Sequence, residues 1–348
     1  MKKVIIAACA ILALCSCSKG NLCTINGNVK GAAGIAKLFS GKDVIDSATV
    51  TDGKFTFKEE VTNPEIYRVS IQDGDKPVWQ AMVFGEKGKI DAIGVANNYD
   101  STSVTGTPAN DAYVKFNQDA EAILKDYYLP TATQAQRDSI EKVYNAAEAN
   151  AIAENKANLF GLYLFSNNSY NMEPQAVIDS IAALTPELQA TKTAANLKEH
   201  AEKQLNVAVG KKYIDITLPD TTGTNDIKLS EVIAKNKYTL LDFFASWCGP
   251  CMGEAPALVA AYKDYHKKGF EIYGVSLDKE AANWKKCLVE KKFTWPNVSD
   301  LKYWDCAPAK DYAVNAIPSN FLLDSEGTIV ATNLRGEDLA KKLAELLK

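Results

Sequence analysis

Two cysteines three positions apart, Cys248 and Cys251, stand out as reactive residues in the run Trp247-Cys248-Gly249-Pro250-Cys251. Thiolates at this spacing can supply half of a zinc site or close a redox disulfide, and the pair alone does not decide between them. The flanking residues favour the disulfide. An apolar stretch from Leu240 to Ala245 reads as a buried strand that runs straight into the first cysteine, and a helical pattern begins there and continues to about Lys268. A thiol at a helix N-terminus faces unpaired backbone N–H groups and the positive end of the helix dipole, which favour its thiolate. Cys248 is therefore predicted to attack a substrate disulfide. Cys251, one turn further in, is predicted to be shielded and to resolve the mixed disulfide. Asp242 is the one charge in the apolar strand. Among such neighbours its neutral form is favoured, which suits a general base working near neutral pH.

The elements that would hold these residues belong to the last part of the chain. From about residue 208 to 348 strand and helix patterns alternate, as in an α/β sheet covered by helices. Phe270 to Leu277 reads as a strand and Glu280 to Lys291 as a helix; Asn320 to Leu323 and Thr328 to Thr332 read as paired strands, and Glu337 to Lys348 as a closing helix. Two other patterns precede it. Residues 17–108 are broken every few residues by Gly, Asn or Asp and read as an all-β, sandwich-like domain. Its clearest hairpin signal is Asp52-Gly53 between Ala48–Thr51 and Lys54–Phe57. Residues 109–207 change to a helical period, with Tyr113, Phe116, Ala120, Ile123, Leu124 and Tyr127 on one face, and continue in helices near 139–166 and 174–207. A multidomain protein follows, as a length of 348 residues allows. The formal net charge of −4 argues against a nucleic-acid partner.

The N-terminus carries an address. Met1-Lys2-Lys3 and the apolar run Val4 to Leu14 form a signal peptide over residues 1–16, too short to span a bilayer. Leu14-Cys15-Ser16-Cys17 resembles a bacterial lipobox, which makes Cys17 the lipidated first residue of the mature chain; Ser18 in place of Asp favours the outer membrane over the inner. Loss of the leader and acylation of Cys17 leave Cys23, Cys248, Cys251, Cys287 and Cys306. An odd number of thiols in an oxidising compartment suits a redox protein better than a disulfide-stapled scaffold.

The segment Leu241 to Cys251 resembles the active site of the thioredoxin superfamily, and the chain around it is most similar to the TlpA/ResA-type oxidoreductases of bacterial envelopes. Met252-Gly253-Glu254-Ala255-Pro256 resembles that group's carboxylate and helix-kinking proline, and Ala316 to Asp324 resembles its cis-proline segment. The likeness spans roughly residues 208 to 348 and implies a thioredoxin-like fold. It implies that Asp242 accepts the proton of Cys251, that Glu254 modulates the pair, and that Trp247, Ile317 and Pro318 face the substrate. The Gly249-Pro250 linker is thioredoxin's own and implies a potential near about −270 mV rather than the about −120 mV of strong periplasmic oxidants. The expected activity is reduction of disulfides in envelope proteins, fed by a membrane thiol reductant and needing no cofactor or metal. The β-rich part resembles a poorly characterised domain that precedes such modules.

Alternatives remain at this level. Cys287 and Cys306 can form a second, structural disulfide, or all four C-terminal cysteines can bind zinc. A thiol peroxidase is disfavoured because Leu241 and Ala245 stand where that chemistry needs Pro and Thr. A binding or scaffold lipoprotein, with residues 22–207 recognising a partner and the redox module secondary, is the competing class.

Overall fold

A computed structural model describes residues 21–74 and 76–348. The leader and Cys17 lie outside the described residues. Contacts divide the chain into two units, one made of the residues through Met172 with Ser180–Asn196, the other of Glu173–Asp179 with Leu197–Lys348.

The first unit begins with eight strands: β1 (Leu22–Lys30), β2 (Gly34–Ser40), β3 (Asp43–Val50), β4 (Lys54–Glu60), β5 (Glu65–Asp73), β6 (Lys76–Gly85), β7 (Gly88–Val95) and β8 (Asn98–Thr105). They form two four-stranded sheets, ordered β4-β1-β7-β8 and β3-β2-β5-β6, and alternate residues of both enter one core around fully buried Trp79. The Asp52-Gly53 turn forms, with both residues at positive φ (51° and 75°) and Thr51 and Lys54 exchanging backbone hydrogen bonds of 3.0 and 2.9 Å. The long hairpin read around it does not. Beyond that bridge β3 pairs with β2 and β4 pairs with β1, so the turn links two sheets. Buried Phe55 and Phe57 explain the choice: pairing with β1 puts both rings into the core.

Helices follow: α1 (Pro108–Leu124), α2 (Gln134–Glu154), α3 (Leu159–Asn168), α4 (Pro174–Ala182), α5 (Pro186–Gln189) and α6 (Lys192–Asn206). The helical stretch near 139–166 is divided at Asn155–Asn158, where the Asn158 side chain accepts the Gly161 N–H (3.1 Å) and caps a new helix. Tyr113 and Phe116 of the expected α1 face do pack, against Phe84 and Phe160 respectively.

The second unit contains β9 (Thr217–Pro219), β10 (Asp226–Lys228), α7 (Leu229–Ile233), β11 (Tyr238–Phe244), α8 (Gly249–Tyr265), β12 (Phe270–Ser276), α9 (Ala281–Lys291), β13 (Asn297–Val298), α10 (Ala307–Asp311), β14 (Ser319–Asp324), β15 (Ile329–Thr332) and α11 (Gly336–Leu346). Five strands make one sheet, β13-β12-β11-β14-β15, with β11 at its centre. β11 runs parallel to β12 and antiparallel to β14. Both faces are covered, so β11 and β12 are buried along nearly their whole length and are mostly apolar, with Asp242 and Glu271 as their buried charges. This is the thioredoxin-like fold expected of the C-terminal residues, behind a β-rich N-terminal region and a helical middle.

Candidate active site

The reactive pair sits where β11 hands the chain to α8. Cys248 is the N-cap of α8, and Pro250 occupies the first turn, where a missing N–H is harmless. The Cys248 Sγ accepts the Cys251 N–H at 3.1 Å, as a helix cap does. Cys248 and Cys251 form a disulfide, and both residues are buried. The shielding foreseen for Cys251 therefore extends to Cys248 in this oxidised state. Opposite them the Ile317–Pro318 peptide is cis, and the Ile317 carbonyl oxygen lies 3.6 Å from the Cys248 Sγ.

Asp242 lies behind the pair on β11, with Gly274 of β12 and Asn320 of β14 as its strand partners. It is 3% exposed. Burial pushes its carboxyl up to about 7; the Glu254 carboxylate adds to this and the Arg335 guanidinium opposes it. Asp242 and Cys251 line a common cavity of about 10 Å³, with Glu254, Pro318 and Arg335 also in its wall. That is room for about one water molecule with polar partners on several sides. A single water there can carry a proton between the Cys251 sulfur and the Asp242 carboxylate.

Glu254 on α8 accepts the backbone N–H of Gly336 at 2.9 Å. Gly336 is the first residue of α11, so the carboxylate satisfies one of that helix's orphan donors while facing the cavity. Trp247 is 46% exposed and packs at an angle against Tyr303 and Trp304, with ring centroids 5.0 and 6.2 Å away. Lys279 Nζ lies 4.8 Å from the Tyr303 ring centre. Together they form an aromatic rim beside the disulfide.

Cys287 and Cys306 are not joined. Both are free, buried thiols; the Cys287 Sγ lies 3.4 Å from the Met252 Sδ, and burial pushes the Cys306 thiol up to about 12. The second disulfide that their sequence positions allow does not form, and each thiol is buried separately. Among the described residues no group of three or more His, Cys, Asp or Glu side chains gathers as metal ligands, so the four-cysteine zinc alternative has no assembled site.

Three contributors to the site were not read from the sequence. Asp278, 1% exposed, accepts from the Ser246 N–H (3.0 Å), the Ser246 hydroxyl and the Ser276 hydroxyl (2.7 Å), and so fixes the loop that carries Trp247 and Cys248. Its only sequence signal is a carboxylate directly after an apolar strand. The adjacent aromatics Tyr303 and Trp304 were legible as a pair but sit more than fifty residues from the cysteines. Arg335 donates through Nη1 to the Leu334 carbonyl (3.0 Å) and through Nη2 to the Pro318 carbonyl. No spacing rule points to it.

Comparison with known proteins places the same region. The AhpC/TSA family model matches residues 209–332, and the model of a domain of unknown function (DUF4369) matches residues 23–113. The thiol-disulfide oxidoreductase ResA of Bacillus thuringiensis subsp. konkukian is 29% identical over 146 residues, 42% of this chain and 80% of its own. ResA of Geobacillus thermodenitrificans is 29% identical over 143 residues, 40% of this chain and 79% of its own. Among solved structures, the thioredoxin domain of a thiol-disulfide oxidoreductase from Bacteroides vulgatus is 36% identical, with 99% of it and 40% of this chain covered and a TM-score of 0.38.

Proposed function

This chain belongs to the TlpA/ResA-type thioredoxin-like thiol-disulfide oxidoreductases, and we propose that it is an extracytoplasmic, lipid-anchored reductase of disulfides in envelope proteins. The observation that carries the reading is the Cys248–Cys251 disulfide at the N-terminus of α8, facing the Ile317 carbonyl across 3.6 Å. Catalysis starts from the reduced pair. The Cys248 thiolate, favoured by the N–H groups at the helix start, attacks one sulfur of a substrate disulfide and expels the other as a thiolate. The Cys251 thiol gives its proton to Asp242 through the water-sized cavity and attacks the Cys248 sulfur of the mixed disulfide. The second substrate thiolate leaves, and Cys248 and Cys251 end as a disulfide. Two electrons pass to the substrate, whose two sulfurs take up two protons, one returned by Asp242 and one from solvent.

The residues around the pair have separate tasks in this scheme. The backbone of Ile317 and Pro318 pairs with an extended substrate segment, while Trp247 with Tyr303 and Trp304 offers it an apolar rim. Glu254 adjusts Asp242. The Gly249-Pro250 linker supports the reducing direction, and a measured potential above roughly −180 mV would reverse it. A membrane thiol reductant restores the dithiol. Residues 1–16 are removed and Cys17 is acylated, with the outer membrane favoured; the thioredoxin-like domain starts at about residue 208.

One trapping experiment tests the reading. In the Cys251→Ala chain the mixed disulfide cannot resolve, so capture from cells is expected to yield envelope proteins joined through Cys248. Cells fed labelled palmitate are expected to label the chain through Cys17. Captured proteins that are all cytoplasmic, or no adduct at all, would reject the function, and label that persists in Cys17→Ala would reject the anchor.

A further inference from the structure

Arg335 stands at the junction of three parts of the redox centre. It occupies the N-cap position of α11, within the connection that follows β15. Its guanidinium donates one hydrogen bond to the carbonyl of its neighbour Leu334 (3.0 Å) and another to the carbonyl of Pro318, seventeen residues away in sequence. Planar, rigid and always charged, a guanidinium can hold two carbonyls at once, which an ammonium on a flexible stem cannot do as well. Arg335 also lines the cavity of about 10 Å³ whose wall holds Asp242 and Cys251.

The surroundings of Arg335 are themselves tied down. The Asn320 side chain donates to the Leu334 carbonyl (2.8 Å) and accepts the Leu334 N–H (2.9 Å), so β14 grips the residue before the arginine. Glu254 holds Gly336, the residue after it, at 2.9 Å. Arg335 is therefore a charge fixed between two anchored neighbours. The titratable and charged groups in the wall of the cavity are Asp242 from β11, Cys251 and Glu254 from α8, and Arg335 from the start of α11. Arg335 supplies the positive charge there.

We propose that Arg335 is a positioning residue of the redox centre, holding the Pro318 wall against the cysteines and setting the charge balance of the cavity in which Asp242 receives the Cys251 proton. This rests on the reading of Asp242 as the base of a disulfide reductase. Two functions in one side chain give two separable effects. The contact with the Pro318 carbonyl governs how a substrate segment is held, and the charge governs the pH at which Asp242 becomes a carboxylate.

Arg335→Lys keeps the charge and loses the fork; Arg335→Met loses both. Reduction of a disulfide peptide by the pre-reduced full-length chain, followed across pH, reads both effects. Arg335→Met is expected to move the acidic limb of the profile up by roughly one pH unit, the size of a nearby opposite charge, and to raise KM several-fold. Arg335→Lys is expected to raise KM similarly while its limb stays near that of the parent chain. An unmoved limb in Arg335→Met overturns the charge role, and an unchanged KM in both variants overturns the positioning role. The Asp242 carboxyl carbon, titrated by NMR in the oxidised chain, gives a readout independent of turnover: it should titrate at higher pH in Arg335→Met, and an unmoved titration counts against the proposal. A parent chain that reduces no disulfide sinks the reductase reading instead, and the carboxyl titration still decides whether Arg335 sets the cavity's charge balance.

Discussion

A strand residue whose flanking neighbours Leu241 and Phe243 are fully buried is a poor place for a carboxylate, and Asp242 is kept there against its solvation. Burial holds its carboxyl at about 7 in the folded chain, against an ordinary value of 3.8. For an acid whose folded value is raised, the stability it contributes is complete below the unfolded value. That contribution declines as pH climbs through the window from about 4 to about 7, and above it the loss stays constant. Asp242→Asn removes the ionisation. The substituted chain should match the parent near pH 4 and exceed it at pH 8 by on the order of 4 kcal/mol, at about 1.4 kcal/mol per pH unit of the window. Urea unfolding followed by tryptophan fluorescence at the two pH values checks this, since four of the five tryptophans lie in the second unit. A gain equal at both would mean that the carboxylate is not burdened by burial. The same variant should lose the acidic limb of its reduction profile and turn over more slowly throughout. More stable and less active is the signature of a residue kept for chemistry.

Glu254 shows how two helices share one side chain. On α8 it faces the cavity, and at 2.9 Å it accepts the Gly336 N–H that opens α11. Its charge helps hold the Asp242 carboxyl up, so both Glu254→Gln and Glu254→Ala are expected to move the acidic limb of reduction to lower pH, opposite in sign to Arg335→Met. They differ in stability. The amide oxygen of Gln still accepts the N–H, and the variant loses only the attraction of a charge to a helix start, about 0.5 kcal/mol; Ala leaves the donor unsatisfied and loses about 1 to 2 kcal/mol. A limb that moves upward would remove Glu254 from the circuit around Asp242. The role of α8 was legible because strand, cysteine pair and helix are contiguous, and contiguity is what a pattern of residues records. The start of α11 was not, since a link between Glu254 and Gly336, or between Arg335 and Pro318, exists only after β14 and β15 have folded back beside β11. The Asp52-Gly53 turn failed in the opposite way: its local signal was right, but which strands pair was decided by where Phe55 and Phe57 could be buried.

The two units bury separate cores, one built from residues between Cys23 and Val104, the other from residues between Val207 and Leu347. A redox module able to fold by itself is therefore expected. The sequence places the start at about residue 208, where strand and helix patterns begin to alternate. Contacts place Leu197–Asn206, the later part of α6, with the redox module. Within it Ala201 is 1% exposed and Val207, just beyond, is 3% exposed in the redox core; the His200 ring lies 3.4 Å from the Asn315 amide. The helix itself is legible, but its apolar face does not say which of the two cores it joins. Fragments 192–348 and 208–348 should both reduce disulfides, as Cys248, Cys251, Asp242, Glu254 and Pro318 all lie beyond either start. The shorter should be less stable by roughly 2 kcal/mol or more, the burial of one valine side chain, with the lost helix adding to it. Equal urea midpoints for the two would mean that α6 contributes nothing to the module. An inactive 192–348 fragment beside an active full chain would mean that the reaction draws on residues before Lys192, among them Glu173–Asp179 of the second unit.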